Sequence, residues 1–125
     1  MNPLIFLLLS LAGGIGAAAR LLVDGVIRGR FGSSFPFGTT IINVTGSFLL
    51  GVITGMAISH LVSSDLRLIL GTGLMGGYTT FSTASFETVR LIQSRRYRAA
   101  LVNGLGMLAA CVAFAGFGLW IGSSL

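Results

Sequence analysis

Four long apolar runs, at roughly 3–24, 37–61, 66–93 and 99–122, occupy nearly all of this 125-residue chain. A membrane-crossing helix needs about 20 mostly apolar residues, so each run is long enough to cross once. Little sequence remains for a water-soluble domain, and we read residues 1–125 as a single transmembrane domain. A transmembrane barrel would instead need alternating apolar and polar residues in segments of about ten, and no such pattern is present. The expected fold class is therefore an all-α membrane protein with four transmembrane helices in a lipid bilayer.

Composition supports this reading. The chain is 54% hydrophobic and 9% charged, whereas soluble domains are about a quarter charged. The first run could be mistaken for a secretory signal, but signal peptides place positive charge before the apolar core. Here Met1-Asn2-Pro3 carries no basic side chain and Arg20 comes near the end of the run, so a retained helix is expected. The net charge of +5 comes from arginine alone. Those arginines lie between apolar runs, which points to orientation in a membrane and not to nucleic acid. Arg28, Arg30, Arg95, Arg96 and Arg98 fall in the first and third connections, against Arg67 and the terminal amine on the other side. The positive-inside rule then puts those two connections in the cytoplasm and both termini outside. The single cysteine, Cys111, excludes an internal disulfide.

Small residues recur at four-residue spacing: Gly51 with Gly55, Gly73 with Gly77, and Gly118 with Gly122. In lipid, helices associate by close backbone packing, which glycine permits. Four helices make a thin bundle in which to hide polar groups, and oligomerisation is the natural inference. Thr39, Asn43 and Ser47 share one face of the second run. They can be interhelical glue or a polar track through the bilayer. Ser64 or Asp65 is a candidate cap for the third helix. Arg20 either reaches to the interface or attracts anions. Glu87, a costly charge inside the third run, marks either a functional site or an ion pair with an arginine.

The segment "GLMGGYTTFSTASFE" (73–87) is the least regular part of the chain. Gly71, Gly73, Gly76 and Gly77 weaken a helix by about 1 kcal/mol each relative to alanine, and Thr79 and Thr80 can compete for backbone hydrogen bonds. A break is expected here. Backbone freed inside a membrane must be satisfied by protein, water or an ion, and carbonyls at such a break can bind Na⁺. Phe81 follows directly, and an aromatic ring has a positive edge that can face a small anion.

Three stretches, "GGIGAAAR" (13–20), "PFGTTIINVTGSFLLG" (36–51) and "GLMGGYTTFST" (73–83), resemble the Fluc (CrcB-like) fluoride channels. The resemblance covers nearly the whole chain. It implies an antiparallel dimer in a prokaryotic cell membrane that exports fluoride passively through two narrow pores. It implies a structural Na⁺ at the dimer centre, held by the backbone carbonyls of Gly76 and Thr79. It implies a pore role for Asn43 and Phe81, with Ser82 and Ser85 in a polar track of the third helix, and matches Arg20 and Glu87 to family positions; Thr39 joins the pore candidates from its spacing alone. One departure stands out: the family has a second phenylalanine three residues after the first, and this chain has Ala84. Phe86 cannot take its place, because five residues turn a helix to a direction about 140° away. The strong arginine bias and Ala84 together suggest a heterodimer with an oppositely oriented homologue; a homodimer is the other arrangement. Two further functions fit a chain of this kind. One is a small multidrug or guanidinium exporter, although the first run lacks the membrane glutamate such exporters use. The other is a non-transporting subunit of a membrane complex. No nucleophile–base–acid set suggests an enzyme.

Overall fold

The computed structural model describes residues 2–32 and 34–125, and every described element is helical. The terminal amine of Met1 and Ser33 of the first connection lie outside the described residues.

Helix α1 (Pro3–Phe31) starts at Asn2, whose side chain accepts a hydrogen bond from the Leu4 amide at 2.9 Å, with proline in the first turn where its missing N–H costs nothing. The helix runs past the expected end at residue 24 and carries the Asp24–Arg28 ion pair, 3.0 Å apart, on its last turns. It stops at Gly32, which adopts φ 74°, a left-handed conformation that glycine reaches without steric cost. The first connection is thus shorter than the sequence suggested. Helix α2 spans Phe37–Ile58.

The third expected crossing is divided. Helix α3 (64–78) begins in α-form over Ser64–Arg67, is π-helical over Leu68–Met75 and ends with Gly76–Tyr78. Its cap is Ser63, whose hydroxyl accepts from the Leu66 amide at 3.2 Å; the cap is neither Ser64 nor Asp65. Ser63 holds the extended conformation a cap requires, while its two successors are already helical. Thr79 and Thr80 are extended, and helix α4 (Phe81–Gln93) resumes beyond them. Helix α5 (Tyr97–Ser124) contains a second π-helical stretch, Val102–Gly106. Helices α1, α2 and α5 are each long and apolar enough to cross a membrane.

Glycine sets the packing. Gly51 and Gly55 of α2 lie against the backbone of Ala115, Leu119 and Gly122, while Gly118 and Gly122 of α5 lie against Phe48 and Val52. Gly73 and Gly77 of α3 abut Leu9 and Gly13 of α1. A Cβ at any of these would run into main-chain atoms, so all three small-residue patterns serve packing within the chain. The buried apolar core is small, and includes Ile42, Met75, Leu91 and Met107. Large apolar side chains such as Leu21, Leu22, Val112 and Trp120 are exposed, as suits a lipid-facing surface.

The Arg96 guanidinium donates to the Ser34 carbonyl, which fastens the third connection to the first. At the other end the Ser59 hydroxyl donates to the Ser123 carbonyl at 2.9 Å. The first and third connections therefore share one end of the bundle, but of the five arginines expected there only Arg95 and Arg96 lie in a connection, since Arg28 and Arg30 belong to the last turn of α1 and Arg98 to the first turn of α5.

Candidate functional site: a groove at the helix break

A helix broken inside a membrane leaves backbone groups that must find partners. At Thr80 the partner is Asn43. The Thr80 amide donates to Asn43 Oδ1 at 2.8 Å, and Asn43 Nδ2 donates to the Thr80 carbonyl at 2.9 Å. The side-chain amide thus substitutes for a neighbouring peptide. Both groups are buried. In an unbroken helix the Thr80 amide would return to the Gly76 carbonyl. Its diversion deprives that carbonyl of its helical donor, and the Thr79 carbonyl accepts no hydrogen bond among the described residues. The Thr80 hydroxyl caps α4 by accepting from the Thr83 amide at 3.2 Å.

Beside the break runs a groove of about 800 Å³, walled by α2, α3, α4 and α5. Asn43, Ser47, Gly76, Thr79, Phe81 and Ser85 all line it. Phe81 is 87% exposed, a ring with almost no intrachain packing. Gly76 has no neighbour closer than 4.0 Å to an added Cβ, so its openness serves no packing within the chain. Ala84 lines the same groove. Phe86 does not: it lies in a separate cleft, with the Arg90 guanidinium 5.9 Å from its ring centre. The helical geometry that separated Phe86 from Phe81 is seen in the fold.

The remaining candidates lie elsewhere. Thr39 is buried and donates to Glu87 Oε1, joining α2 to α4. Glu87 makes no ion pair among the described residues; a hydroxyl replaces the arginine the sequence allowed. It lines a second cleft, about 550 Å³, together with Asp24, Arg28, Arg90 and Arg96. Ser82 is exposed, and its hydroxyl is 3.4 Å from that of Thr80. Arg20 is partly buried on α1, its Nε has no hydrogen-bond partner among the described residues, and it lines neither cavity.

Two groove residues escaped the sequence reading. Asn103, 1% exposed, donates to the Thr88 hydroxyl at 2.8 Å, while its Oδ1 has no partner among the described residues. Met107, one helical turn on, receives the second N–H of Asn43 at its sulfur, 3.3 Å away. A lone amide in an apolar run was the available signal for Asn103, since polar groups in membrane spans are costly. Nothing in the sequence distinguished Met107 from ordinary packing.

These features define a multi-pass helical membrane protein with a polar, glycine-rich interruption opening onto a groove. The chain belongs to the CrcB family, described as CrcB-like protein, Camphor Resistance (CrcB), whose match covers residues 7–119. It is 58% identical over 122 residues to "Fluoride-specific ion channel FluC 1" of Leifsonia xyli subsp. xyli (strain CTCB07), covering 98% of this chain and 89% of that one. It is 50% identical over 114 residues to "Fluoride-specific ion channel FluC 2" of Cutibacterium acnes (strain DSM 16379 / KPA171202), covering 90% and 93%. Against "Fluoride-specific ion channel FluC" of Shewanella sp. (strain ANA-3) it is 42% identical over 125 residues, covering 100% and 96%. The family read from the three sequence motifs is thereby established.

Proposed function

We propose that this chain forms a fluoride-selective channel through which F⁻ leaves the cytoplasm passively. The groove at the Asn43–Thr80 clamp carries the reading, since it gathers an amide, hydroxyls and a free aromatic ring beside one backbone break. Relatives named as fluoride-specific ion channels support it over nearly the full chain. The work is ion conduction and not catalysis. Neither the multidrug-exporter nor the non-transporting-subunit reading draws support from these relatives.

Dehydration is the main barrier, because a small anion taken from water must be re-solvated by the protein. Ser85 and the Ser47 hydroxyl supply donors along the groove, and Phe81 offers its ring edge. Thr39 with Glu87 extends the polar groups toward the arginine-lined cleft, Ser82 adds a hydroxyl beside Thr80 at the break, and Arg20, outside both cavities, adds positive charge on α1 that favours anions. A structural Na⁺ fits the Gly76 and Thr79 carbonyls, hard oxygen donors freed by the break. When bound it would supply fixed positive charge, and those residues would hold it.

An antiparallel dimer would cover the exposed face of Phe81 and Gly76. Ala84 stands in the groove where the family's second ring is expected, which favours a heterodimer with an oppositely oriented homologue. Fluoride efflux from liposomes containing this chain alone, against a chloride control, tests both levels. Rapid fluoride-selective efflux supports the channel and refutes the obligate heterodimer. Efflux only after a homologous partner is added supports both. Silence in both experiments overturns the channel reading.

A further inference from the structure

The amide of Asn43 has two N–H groups with unlike fates. One is fixed on the Thr80 carbonyl at 2.9 Å as half of the clamp. The other points to the thioether sulfur of Met107 at 3.3 Å. Thioether sulfur is a weak acceptor, and methionine is unbranched and readily changes rotamer. Both residues line the groove. The clamp therefore cannot release its hydrogen without unmaking the break, whereas the second hydrogen is held loosely.

We infer that Met107 is a displaceable stand-in for the anion: its sulfur occupies the spare Asn43 N–H in the empty groove and turns aside when fluoride takes that hydrogen. The inference rests on the fluoride-conducting reading above. Fluoride is compact and a far stronger acceptor than a thioether, so the exchange favours the ion. The competition also weakens binding, because each arriving anion must first break the contact with sulfur. Met107 is accordingly a determinant of fluoride affinity.

The test is the fluoride concentration giving half-maximal efflux in liposomes, for wild type and Met107→Leu. Leucine nearly conserves volume but accepts no hydrogen bond. The expected result is a half-maximal concentration lower by about two- to fivefold, the scale of one weak net hydrogen bond. An unchanged or higher value with normal wild-type efflux overturns the role of the sulfur alone, since a packing role would leave affinity unmoved. If the wild type itself passes no fluoride, with or without a homologous partner, the channel reading falls and takes the inference with it. Should Met107→Leu fail to fold, norleucine replacement of methionine in a Met56→Leu, Met75→Leu background leaves Met107 as the one internal position that loses its sulfur, and keeps its shape. The same fall in half-maximal concentration is then expected, and no fall overturns the proposal.

Discussion

Asn43 grips the backbone of Thr80 at two points, accepting from its amide at 2.8 Å and donating to its carbonyl at 2.9 Å. A residue the sequence left as either interhelical glue or part of a polar track is thus the splint of the helix break. Asn43→Leu would leave both backbone groups buried and unpaired, each costing about 1–3 kcal/mol. We expect a lower melting temperature in detergent as well as lost fluoride efflux. A variant that lost efflux at unchanged thermal stability would contradict the splint.

Glycines divide by what stands opposite them. Gly77 faces the backbone of Gly13, and Gly118 faces that of Phe48. Alanine at either should destabilise the chain by about 1–3 kcal/mol through overpacking. Gly116 meets nothing within 4 Å. Gly116→Ala should be neutral or stabilise by up to about 1 kcal/mol from helix propensity. Thermal melts of the three variants check the ordering.

The Thr39–Glu87 hydrogen bond joins α2 to α4 across one side of the break. Thr39→Val keeps the shape and removes the donor, and should cost about 0.5–3 kcal/mol. Thr39→Ser should retain most of the stability. Equal melting temperatures for the valine and serine variants would mean the bond contributes nothing.

Ala84 lies three residues after Phe81, about 300° around the helix, and shares its groove. Ala84→Phe should raise fluoride efflux from liposomes holding this chain alone, toward the rate seen with a homologous partner. Efflux that stayed flat or fell would mean that the groove does not lack a ring.

Much of this was legible in advance because membrane folding leaves few options. Apolar run length located the helices, and glycine with threonine located the break to within a few residues of Thr79. The glycine patterns identified contact faces, but a spacing names no partner; only the fold reveals that Gly51 meets Ala115 and Leu119, and not a second subunit. The same limit applies to Asn43, whose partner Thr80 lies 37 residues away in the break of the third crossing. The extension of α1 through Asp24 was hidden because charge usually signals the end of a span, yet an ion pair four residues apart lets the helix continue. The π-helical turns at Leu68–Met75 and Val102–Gly106 leave no simple periodic mark.

The divided third crossing also bears on how the chain is made. Helix α4 has 13 residues, short of a bilayer's width by itself. Its broken backbone can be satisfied only once Asn43 is in place, and α3 is seated by glycines that fit α1. Biosynthesis should therefore deliver α1 and α2 to the lipid first, as a waiting receptacle. The third segment then completes its seat by docking against them, so that the lodging of its short second half is conferred by its neighbours.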